Sequence, residues 1–145
     1  MERCGKAGVP KESKGTALDR QAAGKILANR LKNTKADLVL GIPRGGVVVA
    51  KEVAKELNLP LDVVITRKIG ATNQPELALG AVDPDGEVVG GLKFNIDEEL
   101  KEIKRREELY RHARSNLARL IQGKTVILVD DGIATGATTL SAIKY

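Results

Sequence analysis

Cysteine and aromatic residues are scarce in this chain of 145 residues. The single cysteine, Cys4, cannot form a disulfide within the chain, which fits a reducing compartment. The chain has no tryptophan, and its aromatic residues are Phe94, Tyr110 and Tyr145. Proteins that bind single-stranded nucleic acid stack successive bases on aromatic side chains. The composition therefore argues against that class of protein.

Long apolar runs are also lacking. No stretch approaches the roughly 20 residues that a membrane-spanning helix needs, and no secretory leader is recognisable, so we expect a cytoplasmic protein without a membrane partner. The net charge is +5, but residues 1–35 hold nine Lys and Arg against three Asp and Glu, whereas the other 110 residues hold fifteen against sixteen. Because the positive excess lies in the N-terminal segment, a nucleic-acid partner is not expected.

The most informative stretch is Val126–Thr139, VILVDDGIATGATT. Its four apolar residues predict a buried parallel strand. Asp130 and Asp131 follow at the C-terminal end of this strand. A Gly- and Thr-rich turn then leads into a predicted helix over Thr139–Lys144. In open α/β sheets, ligands bind beyond the carboxyl ends of the strands. Adjacent carboxylates can accept hydrogen bonds from two neighbouring sugar hydroxyls, and small residues let backbone N–H groups approach a phosphate. The stretch therefore predicts a sugar-phosphate site.

Other interpretations of this stretch fit less well. A Walker A loop needs Lys and then Ser or Thr after its last glycine, but Ala137 follows Gly136, and the chain has no G-x-G-x-x-G. The non-functional alternative is a buried strand with a solvated Asp-Asp turn and a threonine helix cap. If only the Asp-Asp pair is considered, the non-functional and the functional interpretation are equally plausible. The complete stretch from Val126 to Thr139 favours a binding site.

The stretch resembles the ribose-phosphate signature of the type I phosphoribosyltransferases, in which four apolar residues and two acids precede an ATG-x-T loop. The resemblance implies Mg²⁺-dependent transfer of 5-phosphoribosyl from phosphoribosyl pyrophosphate (PRPP) to a nitrogen nucleophile, with a nucleobase as the expected acceptor and pyrophosphate as the product. It implies that Asp130 and Asp131 contact the ribose hydroxyls, directly or through water molecules on Mg²⁺, with no protein residue assigned as a direct metal ligand. The residues that would bind the 5′-phosphate are Ala134, Thr135, Gly136, Ala137 and Thr138.

A second strand–loop–helix unit stands earlier in the chain. Asp37–Ile42 predicts a short buried strand, which is followed by the sequence PRGG and by a helix over Val47–Leu57. The guanidinium of Arg44 and the backbone of Gly45 and Gly46 suit pyrophosphate oxygens. In the family that the chain resembles, this loop binds pyrophosphate and often contains a non-proline cis peptide, which we expect at or near the bond before Arg44. A Gly-Gly turn with a surface arginine is the plain alternative.

Arg67 and Lys68 directly follow the next predicted strand, Leu61–Thr66. Ile69–Glu76 has no periodicity and is predicted to be a mobile loop. In the family, a flexible loop at this place carries basic residues and folds over bound PRPP. The resemblance thus implies that Arg67 and Lys68 bind the pyrophosphate, and that they act in catalysis together with the two aspartates. Cations stabilise a leaving pyrophosphate, and a closed loop excludes water. A surface basic pair is the plain alternative.

The remaining elements complete an α/β pattern. Asp19 is a predicted N-cap of an amphipathic helix to about Lys32, which we expect to pack on the sheet without chemistry of its own. The sequence DPDG predicts a hairpin turn between Leu77–Val82 and Glu87–Val89, and a long charged helix over Glu98–Ile121 precedes the signature strand. This order predicts a mostly parallel, Rossmann-like sheet flanked by helices with a β-hairpin insertion, as in the type I phosphoribosyltransferase core.

We expect residues 1–18 to be a mobile segment and residues 19–145 to form the core. Type I enzymes normally continue after the signature with further strands and a hood that identifies the base, whereas this chain ends at Tyr145. Truncation, completion by a partner subunit and an activity short of full transfer all stay open. The sheet edge beside the last strand favours a homo-oligomer, most simply a dimer. The alternative to an enzyme is a non-catalytic PRPP- or nucleotide-sensing module of the same fold.

Overall fold

The computed structural model describes residues 19–71, 74–90, 96–111, 116–133 and 136–145. The described residues up to 61 form one compact unit with residues 124–131, and the remaining ones form a second unit. In the described part of the chain, no helix is both long enough and apolar enough to cross a membrane. The elements in chain order are α1 (Arg20–Leu31), β1 (Leu38–Gly41), α2 (Gly45–Leu57), β2 (Leu61–Val63), β3 (Arg67–Ala71), β4 (Gln74–Val82), β5 (Val88–Val89), α3 (Asp97–Arg111), α4 (Leu117–Ile121), β6 (Val126–Val129) and α5 (Ala137–Lys144).

Parallel pairing of β1 with β6 defines the first unit. The register runs from Leu38 opposite Val126 to Gly41 opposite Val129, and the N–H of Ile42 donates to the Val129 carbonyl at 2.9 Å. The strand order is β2-β1-β6. Because the register leaves no overhang, the carboxyl ends of β1 and β6 lie side by side, and so do the residues that follow them.

Helix α2 covers β1 and β6 with a continuous apolar face. Val49, Ala50 and Val53 are buried and form one cluster with Val39 and Val129, which matches the spacing expected of an amphipathic helix. The observed helix begins two residues earlier than predicted, at Gly45. This packing fixes the start of α2 against the end of β6.

Helix α1 begins where the sequence predicts, because the Asp19 carboxylate accepts a hydrogen bond from the Ala22 N–H at 2.7 Å. It packs on α2, which corrects the expectation that it packs on the sheet. The reason is Gly24, where a Cβ would lie 2.6 Å from the Glu52 Cβ and 2.8 Å from the Val49 carbonyl oxygen. Such a close approach of two helices requires a residue without a side chain.

The second unit contains the antiparallel sheet β3-β4-β5. The predicted turn between β4 and β5 is confirmed: the Gly86 N–H donates to the Asp83 carbonyl at 3.1 Å, and Gly86 has a φ of 87°. The predicted mobile loop over 69–76 is wrong in its described part, because Arg67–Ala71 pairs with Gln74–Val82. The sequence hid this pairing because the register shifts on both sides of Gly70, which breaks the alternation of side chains.

The long helix predicted over Glu98–Ile121 is also corrected. The structure has α3 and then a separate α4, whose N-cap Asn116 is not helical and accepts a hydrogen bond from the Arg119 N–H at 3.3 Å. A capping asparagine starts a new helix because its side chain replaces the missing intrahelical acceptor. Elsewhere in this unit, α5 packs on β4 and β5 and buries Ser141 completely. The predicted α/β class, with a parallel sheet flanked by helices, is confirmed.

Candidate functional site

Two loops meet at the carboxyl ends of β1 and β6. A Cβ on Gly45 would overlap the carboxylate of Asp131, and a Cβ on Gly46 would lie 2.9 Å from both the Asp130 Cα and the Val129 carbonyl oxygen. Only glycine therefore allows the first turn of α2 to lie against the two aspartates. The structure brings together the predicted ribose-binding acids and the predicted pyrophosphate-binding glycines.

Arg44 precedes this turn. Its peptide bond with Pro43 is cis, which confirms the prediction made from the family resemblance. The Arg44 side chain is exposed and, among the described residues, makes no capping hydrogen bond to α2. Because the first N–H groups of a helix have no intrahelical acceptor, the start of α2 brings backbone N–H groups and a guanidinium into the same loop.

Asp131 is paired with a residue that sequence reasoning missed. The Nε and Nη2 atoms of Arg20 donate to Asp131 Oδ2 at 3.0 and 2.8 Å, while the Asp131 N–H donates to Asp130 Oδ1 at 2.8 Å. The Arg20 hydrogen bond holds the pKa of Asp131 below its ordinary value, although partial burial opposes the shift. Asp131 is therefore an anion at neutral pH.

The signal for Arg20 in the sequence is faint. Arg20, Gly24 and Ala28 follow one another at intervals of four residues and so share one face of α1. Gly24 and Ala28 are the buried residues of this helix, which indicates that this face packs against the rest of the unit. The contact itself spans 111 residues and could not be read from local spacing.

The other predicted site residues belong to the second unit. Arg67 and Lys68 begin β3 opposite Val82 and Ala81. The Lys68 side chain is exposed, whereas the Arg67 Nε is buried and has no hydrogen-bond acceptor among the residues described. A buried guanidinium N–H without an acceptor is costly.

The predicted phosphate-binding loop is described in part. Ala134 and Thr135 lie outside the described residues, while Ala137 and Thr138 form the first turn of α5. Gly136 is its N-cap, with a φ of 80°, and this left-handed conformation favours glycine. The sequence predicted the helix to begin at Thr139, two residues later than it does.

The aspartate pair is the candidate for holding a metal ion. Within the described ranges, no three His, Cys, Asp or Glu side chains gather in a way that could hold an ion. Asp130 and Asp131 supply hard oxygen atoms, the type of ligand that Mg²⁺ prefers, and Mg²⁺ usually keeps several waters and binds through one or two carboxylates plus substrate phosphates. The residues therefore fit a Mg²⁺ ion that is carried largely by a phosphorylated substrate.

The chain is similar in sequence to one protein family and to several named proteins. The pattern of the phosphoribosyl transferase domain matches residues 15–145. A Mycobacterium tuberculosis (strain ATCC 25618 / H37Rv) protein, provisionally named a phosphoribosyl transferase, is 45% identical over 139 residues, which cover 86% of this chain and 31% of that protein. The amidophosphoribosyltransferase of Staphylococcus aureus (strain MRSA252) is 29% identical over 125 residues, covering 86% of this chain and 20% of that enzyme. The chain thus spans less than a third of the length of either relative.

Two solved structures have a similar fold. The crystal structure of TT1426 from Thermus thermophilus is 43% identical, with a TM-score of 0.50, over 86% of this chain and 65% of that one. A hypothetical protein from Neisseria gonorrhoeae with bound ppGpp is 20% identical, with a TM-score of 0.51, over 87% of this chain and 57% of that one. At that identity the second likeness concerns the fold alone.

Proposed function

The chain belongs to the phosphoribosyl transferase domain family, and from this membership we propose that it catalyses the transfer of 5-phosphoribosyl from PRPP to a nitrogen nucleophile. We propose a nucleobase as the acceptor and pyrophosphate as the leaving group. The observation that carries the proposal is the packing of Gly45 and Gly46 against Asp131 and Asp130. This packing supports the proposal because backbone N–H groups, which can donate to an anion, lie close to carboxylates, which can accept from hydroxyl groups.

Asp130 and Asp131 would bind the ribose. An ionised carboxylate accepts hydrogen bonds at both oxygens, and two adjacent carboxylates match two neighbouring hydroxyl groups. The lowered pKa of Asp131 supports this role, because a protonated carboxyl would donate a hydrogen bond and accept fewer. The acids would therefore hold the sugar over the loop after β1.

The pyrophosphate would be bound by the loop after β1. Gly45 and Gly46 would offer N–H groups, and the planar guanidinium of Arg44 matches phosphate oxygens in pairs. From the family resemblance we propose that Arg67 and Lys68 add positive charge to this binding. Positive charge around the leaving group is what the reaction demands.

The 5′-phosphate would be held by the loop that follows the aspartates. Its residues are small or hydroxylated, so backbone N–H groups can approach an anion closely, and α5 adds the positive end of its dipole. That dipole contributes only about 0.3–1 kcal/mol, so hydroxyl and amide donors would provide most of the binding. The residues proposed for this role are Ala134, Thr135, Gly136, Ala137 and Thr138.

Mg²⁺ would be held by the substrate and by Asp130 and Asp131 through its bound water. When bound, it supplies positive charge that offsets the pyrophosphate oxygens.

The chemistry consists of one substitution at ribose C1. The C1–O bond breaks and its electron pair leaves with pyrophosphate, while the lone pair of the acceptor nitrogen forms the new C1–N bond. The proton that this nitrogen carries would pass to the departing pyrophosphate. The ribose becomes positively charged in between, so the anionic Asp130 and Asp131 oppose its charge and the basic residues stabilise the leaving group. Positioning and electrostatics suffice for this step, and no protein base is assigned.

The test is a calorimetric titration of the protein with PRPP and Mg²⁺. Replacing both acids, Asp130→Asn/Asp131→Asn, removes two anionic acceptors, and hydrogen bonds to charged groups contribute roughly 1.5–3 kcal/mol each. We expect the PRPP affinity to fall by at least about 100-fold. Equal affinities would remove the assignment of the ribose site.

A second assay separates an enzyme from a sensor. Pyrophosphate release is followed with a panel of purine and pyrimidine bases at saturating PRPP, and a transferase gives release that depends on one of the bases. PRPP binding without turnover on any base would contradict catalysis. It would favour the alternative of a non-catalytic PRPP- or nucleotide-sensing module.

A further inference from the structure

Arg20 is a cation that directly contacts one member of the aspartate pair, Asp131. It stands in the first turn of α1, and nothing in the reaction proposed above uses it. Its position is nevertheless fixed, because Gly24, one turn later on the same face, packs against Val49 and Glu52 of α2. The close packing of the two helices therefore holds the first turn of α1 near the aspartates.

The guanidinium lies between the aspartates and the pyrophosphate loop. It binds a single oxygen, Asp131 Oδ2, through both Nε and Nη2. At the same time, a Cβ on Gly45 would be only 2.6 Å from the Arg20 Nε. Arg20 thus stands over the first residue of α2, where the pyrophosphate of the proposed substrate would bind.

We propose that Arg20 is a further substrate-binding residue, which exchanges Asp131 for the pyrophosphate of PRPP when the ribose hydroxyls bind Asp131. This inference rests on the function proposed above. The ribose needs the carboxylate that Arg20 occupies, so ligand and guanidinium compete for Oδ2. The pyrophosphate gives the displaced guanidinium a more highly charged partner, which its planar fork fits in pairs of hydrogen bonds.

The exchange is feasible because the present ion pair is weak. The Arg20 side chain is 58% exposed and that of Asp131 is 31% exposed, and ion pairs so exposed add little to stability. A long arginine side chain anchored on a packed helix can turn from one partner to the other without any movement of α1.

The test compares three ligands in calorimetric titrations: PRPP with Mg²⁺, pyrophosphate with Mg²⁺, and ribose 5-phosphate. In Arg20→Met, we expect the affinities for PRPP and for pyrophosphate to fall by about tenfold or more. In Arg20→Lys, which keeps the positive charge, we expect a smaller loss of these affinities. Ribose 5-phosphate should bind Arg20→Met as tightly as wild type or more tightly, because its competitor for Asp131 is gone. Lys25→Met removes the same charge from an exposed position of α1 and should match wild type.

Three results would overturn the inference. If Arg20→Met binds PRPP as wild type does, Arg20 does not contact the substrate. If Arg20→Met loses PRPP and ribose 5-phosphate affinity by the same factor, Arg20 only positions Asp131. If wild type binds none of the three ligands, the proposed function fails and the inference with it, whereas in the first two cases the proposed function stands.

Discussion

Gly45 is the residue on which the geometry of the site depends most directly. In Gly45→Ala the new methyl group would occupy the position of the Asp131 carboxylate, so either the acid or the start of α2 must move. Overpacking of this kind costs about 1–3 kcal/mol, and we expect that loss in urea unfolding together with a drop of about tenfold or more in PRPP affinity.

The matched control is Gly132→Ala. Apart from its two chain neighbours, no described residue has an atom within 4 Å of a Cβ at this position. The free energy of unfolding of Gly132→Ala should therefore stay within about 0.5 kcal/mol of the wild-type value. If Gly45→Ala were as stable as Gly132→Ala and bound PRPP normally, the close packing of loop and carboxylate would not matter for function.

At the same scale, the sequence predicts some residues of the candidate site and conceals others. Asp130, Asp131, Gly45 and Gly46 were predicted as site residues because each pair follows an apolar run, and the ends of parallel strands share one edge of the sheet. The structure brings these four residues together. Arg20 was missed because it follows no strand and reaches its partner only through the packing of α1 on α2. Local chemistry predicts the loops of a site, whereas a side chain delivered by a distant helix is visible only in the fold.

Among the elements, α3 carries ion pairs between side chains on its own surface. The Glu102 carboxylate accepts hydrogen bonds from Arg105 and Arg106 at 2.8 and 2.7 Å, and these bonds lower the pKa of Glu102 to about 2. Because the pKa is lowered in the folded chain, the stabilisation is present above the ordinary glutamate range and is lost as the pH falls toward 2. Carbon-13 NMR titration should show a midpoint of about 2 for Glu102.

The control for this titration is Arg105→Gln/Arg106→Gln. Without both guanidinium groups, the midpoint of Glu102 should rise toward its ordinary value of 4.5. A midpoint near that value already in wild type would show that the pairs do not form on α3 in solution.

Elements with regular patterns were predicted well, and irregular ones were not. β6 and α2 have uninterrupted apolar spacing, and both appear within two residues of their predicted bounds. Most of β3 and the start of β4 were predicted to be a loop, because Gly70 lies at a register shift and Pro75 is a residue that strands rarely tolerate. The rest of β4, from Leu77 to Val82, was predicted as a strand. Here cross-strand pairing overrides local preference.

For the molecule as a whole, the sequence indicates the α/β class but not the division into two units. The boundary between the units falls directly after Asp131, inside a motif that reads as one continuous signature. Apolar spacing reports which residues are buried and cannot report which of them share a core. The expected dimer, the cytoplasmic location and the mobile N-terminal segment stay predictions.

Global stability should depend strongly on one buried ion pair of the second unit. Arg111 at the end of α3 donates to Asp62 of β2 at 3.0 and 3.1 Å, with side-chain exposures of 7% and 3%, and this carboxylate raises the pKa of Arg111. Arg111→Leu leaves the Asp62 carboxylate buried without its guanidinium, so we expect urea unfolding to show a loss of about 3–5 kcal/mol.

The double variant Asp62→Leu/Arg111→Leu removes both charges and should recover most of this loss, because no charge is left buried without a partner. Lys101→Leu, at an exposed position of α3, should change the free energy of unfolding by no more than about 0.5 kcal/mol. A double variant no more stable than Arg111→Leu would mean that the two residues stabilise the unit through their separate packing, and that the charge pair itself has little weight in the folding of this chain.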